Sequence, residues 1–69
     1  MKRTDKFNFA MRLLQENNIT PTDKRLCFNS FGDIVIHSKQ LKNCIIILPQ
    51  ATARTIQNII ETQVMIAKA

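Results

Sequence analysis

The chain has one histidine, one glycine, two prolines and two cysteines among its 69 residues, and neither tryptophan nor tyrosine. Each scarcity excludes something. With His37 alone, and with Cys27 and Cys44 far apart and no further Cys beside either, a zinc site lacks ligands. So little Gly and Pro excludes collagen-like or low-complexity chains. The longest unbroken apolar run, Cys44 to Leu48, is far short of the roughly 20 residues that cross a membrane. The opening "MKRTDKFNFAMRLL" is basic, but it has no long apolar stretch or small-residue cleavage site, and Arg12 and Glu16 interrupt its apolar residues. It reads as no signal peptide, and the expected setting is the cytoplasm, with both thiols reduced.

The acidic residues are also few. Asp5, Glu16, Asp23, Asp33 and Glu61 are scattered, with no pair at a spacing that makes a hydrolase dyad or a divalent-metal clamp. No metal site and no cofactor motif is expected. Ten basic residues against five acidic give a net charge of +5 and an isoelectric point near 9.8. Such a surplus favours phosphate backbones or acidic proteins as partners.

What is present is aliphatic. Hydrophobic residues make up 45% of the chain and ten are Ile, enough for one domain, although a chain this short buries only about 60% of its unfolded surface. Phe7, Ala10, Met11 and Leu14 recur at three- and four-residue spacing, so a helix is predicted over about 4–18, with Thr4 or Asp5 as N-cap. "NNITP" ends it. From Lys24 the period changes. "RLCFNSFGDIVIHS" alternates in parts and pivots at "FGD", where Gly32 can take the positive φ of a hairpin; the polar turn "SKQLKN" then leads into "CIIILP". Three strands are predicted at about 24–30, 33–38 and 43–48. Pro49 closes the last, and Thr52 caps a helix over about 52–67 whose apolar arc holds Ile56, Ile59, Ile60 and Val64.

The expected fold is therefore α+β: an αβββα chain with a three-stranded antiparallel sheet and two helices packed on one face. In the third strand both sides are apolar, yet helices cover only one. The uncovered side, assigned to Val35, Ile45 and Ile47, is the expected interface of a homodimer.

His37 is the obvious candidate for proton transfer. A general base on a phosphodiester needs a second acid or cations beside it, and only Lys39 and Lys42 are near in sequence. Cys27 and Cys44, inside apolar strands, read as small core hydrophobes. The cations fall into three clusters: Lys2, Arg3 and Lys6; Lys24 and Arg25; Lys39 and Lys42. Arg54 lies on the polar face of the last helix. With His37, these residues are the expected nucleic-acid contacts, of the kind that grip phosphates without reading bases.

The order helix, three strands, helix resembles the double-stranded RNA-binding domain. In that family the second helix opens with a lysine-rich phosphate clamp, where this chain has "PQATARTIQN" with Arg54 as its only cation. Gly32 to Pro49 and then "TARTIQNII", together with "FAMRLLQENN", is similar to the HicA family of messenger-RNA interferases on the same fold. That family's catalytic mark is a Gly-Ser-His run opening the second strand. This chain has Gly32, Asp33 and Ile34 there, and His37 lies three residues on, about 10 Å away and on the opposite face of the strand. The resemblance implies the fold and not the activity.

Charge balance, element order and the missing catalytic run together point to a small basic protein without catalytic activity that binds nucleic acid, RNA ahead of DNA. An alternative is an inhibitor or antitoxin-like regulator docking on an acidic protein. The third is a small ribonuclease using His37.

Overall fold

The computed structural model describes residues 2–69. Its elements are α1 (Arg3–Glu16), β1 (Ile34–Ile36), β2 (Ile45–Ile47) and α2 (Ala53–Lys68). The fold is α+β, with two helices and a two-stranded antiparallel sheet. No helix among the described residues is long and apolar enough to cross a membrane.

α1 starts earlier than Thr4. Lys2 is its N-cap, and Asp5, in the first turn, accepts the Lys2 amide at 3.4 Å. That carboxylate satisfies one donor that the helix itself cannot. Phe7, Ala10 and Leu14 form the buried stripe. At the other end Asn18 adopts φ 60°, the Ile19 amide donates to the Leu14 carbonyl at 2.9 Å, and the Asn18 amide donates to that of Gln15 at 3.0 Å. This is a Schellman closure, with Asn in the left-handed position usually given to Gly and buried Ile19 supplying the accompanying apolar contact.

The strands pair in the register Ile34 with Ile47, Val35 with Ile46 and Ile36 with Ile45. Because side chains alternate, one face carries Ile34, Ile36, Ile45 and Ile47, all buried, and the other carries Val35 and Ile46. Ile56, Ile60 and Val64 of α2 join the buried face and Leu14 of α1 completes it. Fully burying each such side chain is worth about 1.5–3 kcal/mol. This burial holds α2 in place, because its Ile-rich sequence is only a mediocre helix former. Thr52 caps α2 by accepting the Thr55 amide on its hydroxyl at 3.3 Å.

Two expectations are corrected here. Ile45 and Ile47 are 0% exposed; they face the helices and are not available as an interface. The uncovered face belongs to Val35, Ile46 (43% exposed) and Leu48 (46%). Second, the expected first strand is reduced to a single bridge, Phe28 to Ile34. The segment does run alongside β1: Asn29 donates to the Asp33 carbonyl, Val35 to that of Cys27, and Thr22 to that of His37. Between Thr22 and Cys27, however, the Asp23 carboxylate accepts the Arg25 amide at 2.9 Å. Residues 23–26 fold into a local turn of their own and leave the ladder, as side chains that bond nearby backbone tend to make them do.

The hairpin from Asn29 to Asp33 closes as the sequence suggests. The Gly32 amide donates to the Asn29 carbonyl at 3.1 Å, Gly32 sits at φ 82°, and the Asn29 carboxamide oxygen accepts the amides of Phe31 and Asp33 at 2.9 and 3.0 Å. This is a three-residue loop with a left-handed residue before the strand resumes.

The Asn18 closure is directly testable. Asn18→Ala is expected to cost about 1 kcal/mol, because a Cβ-bearing residue without a local side-chain bond is disfavoured at positive φ, while Asn18→Gly should not destabilise. Urea denaturation of the two variants, monitored by circular dichroism, should give distinct midpoints; equal midpoints would contradict this role.

Candidate nucleic-acid interface

All the expected contact residues except Lys6 are exposed. Lys6 is corrected first: it is buried, and its ammonium donates to the Pro49 carbonyl. The long lysine stem crosses the apolar boundary between α1 and the β2–α2 loop and finds an acceptor there, so Lys6 fastens two elements together and offers nothing to a phosphate. Lys2 and Arg3 are exposed at the start of α1. The Arg3 guanidinium lies 5.0 Å from the centre of the Phe28 ring, which holds this cation beside the hairpin.

Lys24 and Lys39, fifteen positions apart in sequence, are brought to a common structure. One cleft of about 330 Å³ is lined by Met11, Gln15, Ile19, Thr20, Pro21 and Lys24. A second, of about 320 Å³, is lined by Thr20, Pro21, Thr22, Lys39 and Gln40. Thr20 and Pro21 are the wall between them, with one lysine on each side.

That wall is held from below by the β1–β2 turn. The Gln40 carboxamide accepts the Thr20 amide at 2.6 Å and donates to the Asn18 carbonyl at 2.8 Å. Ser38 donates its hydroxyl to the Thr20 carbonyl at 2.8 Å, and the Thr22 amide reaches the His37 carbonyl at 2.8 Å. The glutamine side chain thus pairs with the segment as a neighbouring strand would, offering one donor and one acceptor. Pro21 has no amide to satisfy and fixes its own φ. The result is a short extended rib with exposed Thr20 and Thr22.

The remaining candidates line neither cleft. Arg25 pairs with Asp23 at 3.4 Å, which offsets its charge locally. Lys42 is exposed beyond Lys39 in the same turn, and Arg54 is exposed in the first turn of α2. His37 is exposed just past the end of β1. Two residues beyond Val35, it shares the outer face, and it is the backbone carbonyl of His37 that holds Thr22. No cluster of three or more His, Cys, Asp or Glu side chains able to hold a metal ion occurs among the described residues.

Sequence reading missed the rib and its glutamine clamp. Asn18, Thr20 and Pro21 were legible as the end of a helix, and Gln40 as a turn residue. Nothing in their spacing announces that residues 20 positions apart in sequence share hydrogen bonds.

No protein-family model, no curated protein and no solved structure matches this chain.

The charged turn at the foot of the rib has a defined pH response. The Arg25 amide, then the Arg25 side chain, hold the Asp23 carboxyl below the ordinary aspartate range. Because folding lowers this pKa, the stabilisation it brings is complete above the ordinary aspartate range and is lost as pH falls through the lowered value. A carbon-detected NMR titration should therefore place the Asp23 carboxyl midpoint below that of an unstructured aspartate, with the Arg25 amide shift tracing the same curve. An ordinary midpoint would mean that the turn does not persist in solution.

Proposed function

We propose that this chain is a small, non-catalytic nucleic-acid-binding protein that takes RNA ahead of DNA and grips the backbone at the Thr20–Thr22 rib. One observation carries the reading: lysines from two separate basic clusters, Lys24 and Lys39, flank one hydrogen-bonded rib, each in its own cleft. Two ammoniums on either side of a narrow ridge suit successive phosphates, with the exposed hydroxyls of Thr20 and Thr22 available to phosphate or sugar oxygens. Lys42, in the turn that carries Lys39, extends the positive strip. Arg25 contributes less, because Asp23 sits on it.

The net charge of +5 supports the same reading. The preference for RNA over DNA comes from the sequence alone, whose expected order of helix, three strands and helix resembles the double-stranded RNA-binding domain; two of those strands are present. The rib places threonines and lysines at the surface and no aromatic ring, so the mode of contact is charge and hydroxyl, not base stacking. Binding of this kind weakens steeply with salt, because each neutralised phosphate releases counterions.

A second reading, docking on an acidic protein, draws on the hairpin tip. Phe31 there is 83% exposed, and Lys2 and Arg3 are exposed at the start of α1, with Arg3 against Phe28 of the same hairpin. An exposed aromatic ring on a hairpin that also carries an arginine is a common protein-binding arrangement.

The two readings separate in one experiment. Fluorescence anisotropy of labelled single-stranded and duplex RNA should show binding at low salt that falls steeply towards physiological salt. In the double variant Lys24→Ala/Lys39→Ala, affinity should drop at low salt and the slope of log K against log salt should shrink by about 1 for each lysine removed. Unchanged affinity and slope in that variant would remove the rib from the site. No RNA binding even at low salt would move the function to protein docking at the hairpin tip.

A further inference from the structure

The free edge of β2 carries an inference that is independent of the nucleic-acid reading. On β1, Asp33 and Val35 direct their backbone groups away from β2, since Asn29 donates to the Asp33 carbonyl and Val35 donates to that of Cys27. His37 does likewise by accepting from Thr22. In an antiparallel ladder the direction alternates residue by residue. Ile34 and Ile36 therefore turn their amides and carbonyls towards β2, and their partners Ile47 and Ile45 turn theirs back. Ile46, between them, aims its N–H and C=O at the opposite edge, and Cys44 and Leu48 do the same. The Leu48 carbonyl is taken by the Ala51 amide. Among the described residues, no backbone hydrogen bond outside the regular elements uses the Ile46 amide or carbonyl.

Edge strands are normally protected by a charge, an internal proline or a bulge. Cys44 to Leu48 has none of these; Lys42 and Pro49 stand outside it. The side chains that accompany this edge are apolar: Ile46 and Leu48 are each nearly half exposed, with Val35 beside Ile46 on the same face.

We propose that a second copy of this chain covers this edge, β2 pairing with β2 in antiparallel fashion about a two-fold axis at Ile46. The outward groups are self-complementary in that register. Each Ile46 amide donates to the partner's Ile46 carbonyl, and each Leu48 amide donates to the partner's Cys44 carbonyl. The result is a continuous four-stranded sheet in which Val35, Ile46 and their partner copies form one apolar band across the outer face. The register also solves the charge problem of bringing two basic chains together. Each Lys42 lies four positions before its own Ile46, so the two lysines stand at opposite ends of the joint, roughly 27 Å apart along the strands. A heterologous strand would need a matching apolar sequence; a second copy supplies it by symmetry.

Sedimentation equilibrium of the full chain should give a mass rising with concentration from the 7.9 kDa of one chain towards twice that value. Ile46→Lys puts two cations against each other at the axis and should hold the mass at that of one chain while the circular dichroism stays helical. Independently, Ile46→Cys in a Cys27→Ser/Cys44→Ser background should oxidise to a covalent dimer. The Cα atoms of a hydrogen-bonded antiparallel pair lie about 5.5 Å apart, within disulfide range. A chain that stays monomeric up to about 1 mM would overturn the proposal, as would a dimer indifferent to Ile46→Lys, or cross-linking at Ile46→Cys no faster than at an exposed control, Asn58→Cys.

Discussion

The register of two three-residue strands is the constraint on which the rest of this protein depends. Side chains alternate with a period of two, so a slip of one residue would turn Ile45 and Ile47 out and bring Ile46 in. It would also replace the buried quartet Ile34, Ile36, Ile45 and Ile47 with a face too short to meet both helices. A pair of strands this small is not stable alone. It becomes so because α1 and α2 close over one side, and the two helices are equally dependent on it. The capping of each helix by its own residues, Asp5 at one start and Thr52 at the other, fixes where each begins and therefore which stripe it presents.

The Thr20–Thr22 rib in turn rests on that ladder. The turn after β1 is positioned by the register, and Gln40 within it reaches the segment leaving α1 through two hydrogen bonds. The Schellman closure at Asn18 turns the chain so that this segment passes within reach. Lys24 and Lys39 are thus placed by backbone structure that neither lysine stabilises. This separation of scaffold from charge leaves both lysines replaceable without loss of the fold.

Much of this was legible in the sequence. The Phe7, Ala10, Leu14 spacing and the Ile56, Ile60, Val64 spacing declared both helices, Gly32 declared the hairpin, and the aliphatic runs declared both strands. What failed did so for tertiary reasons. Five successive apolar residues from Cys44 to Leu48 satisfy either face, and only the packing of α2 decides that Ile45 and Ile47 go inside. The ladder beside β1 was lost to one carboxylate, Asp23, whose bond to the Arg25 amide competes with strand pairing. Lys6 looked like one more surface cation, because a sequence does not show that a carbonyl, that of Pro49, waits at the end of its stem. Of the expected contact residues, Lys24 and Lys39 meet at one feature; Lys2, Arg3, Arg25, Lys42, His37 and Arg54 lie around it or away from it.

The loop from Asp23 to Leu26 is pinned at both ends, at Thr22 through His37 and at Cys27 through Val35, while of its residues only Leu26 packs against the hydrophobic core, from outside it. Lengthening a loop between fixed ends costs only slowly increasing entropy. Evolution can therefore insert, delete or recharge residues at Asp23 to Arg25 without disturbing the ladder or the helices. The one stretch that broke the expected first strand is also the stretch where a lineage can change surface charge at least cost to folding.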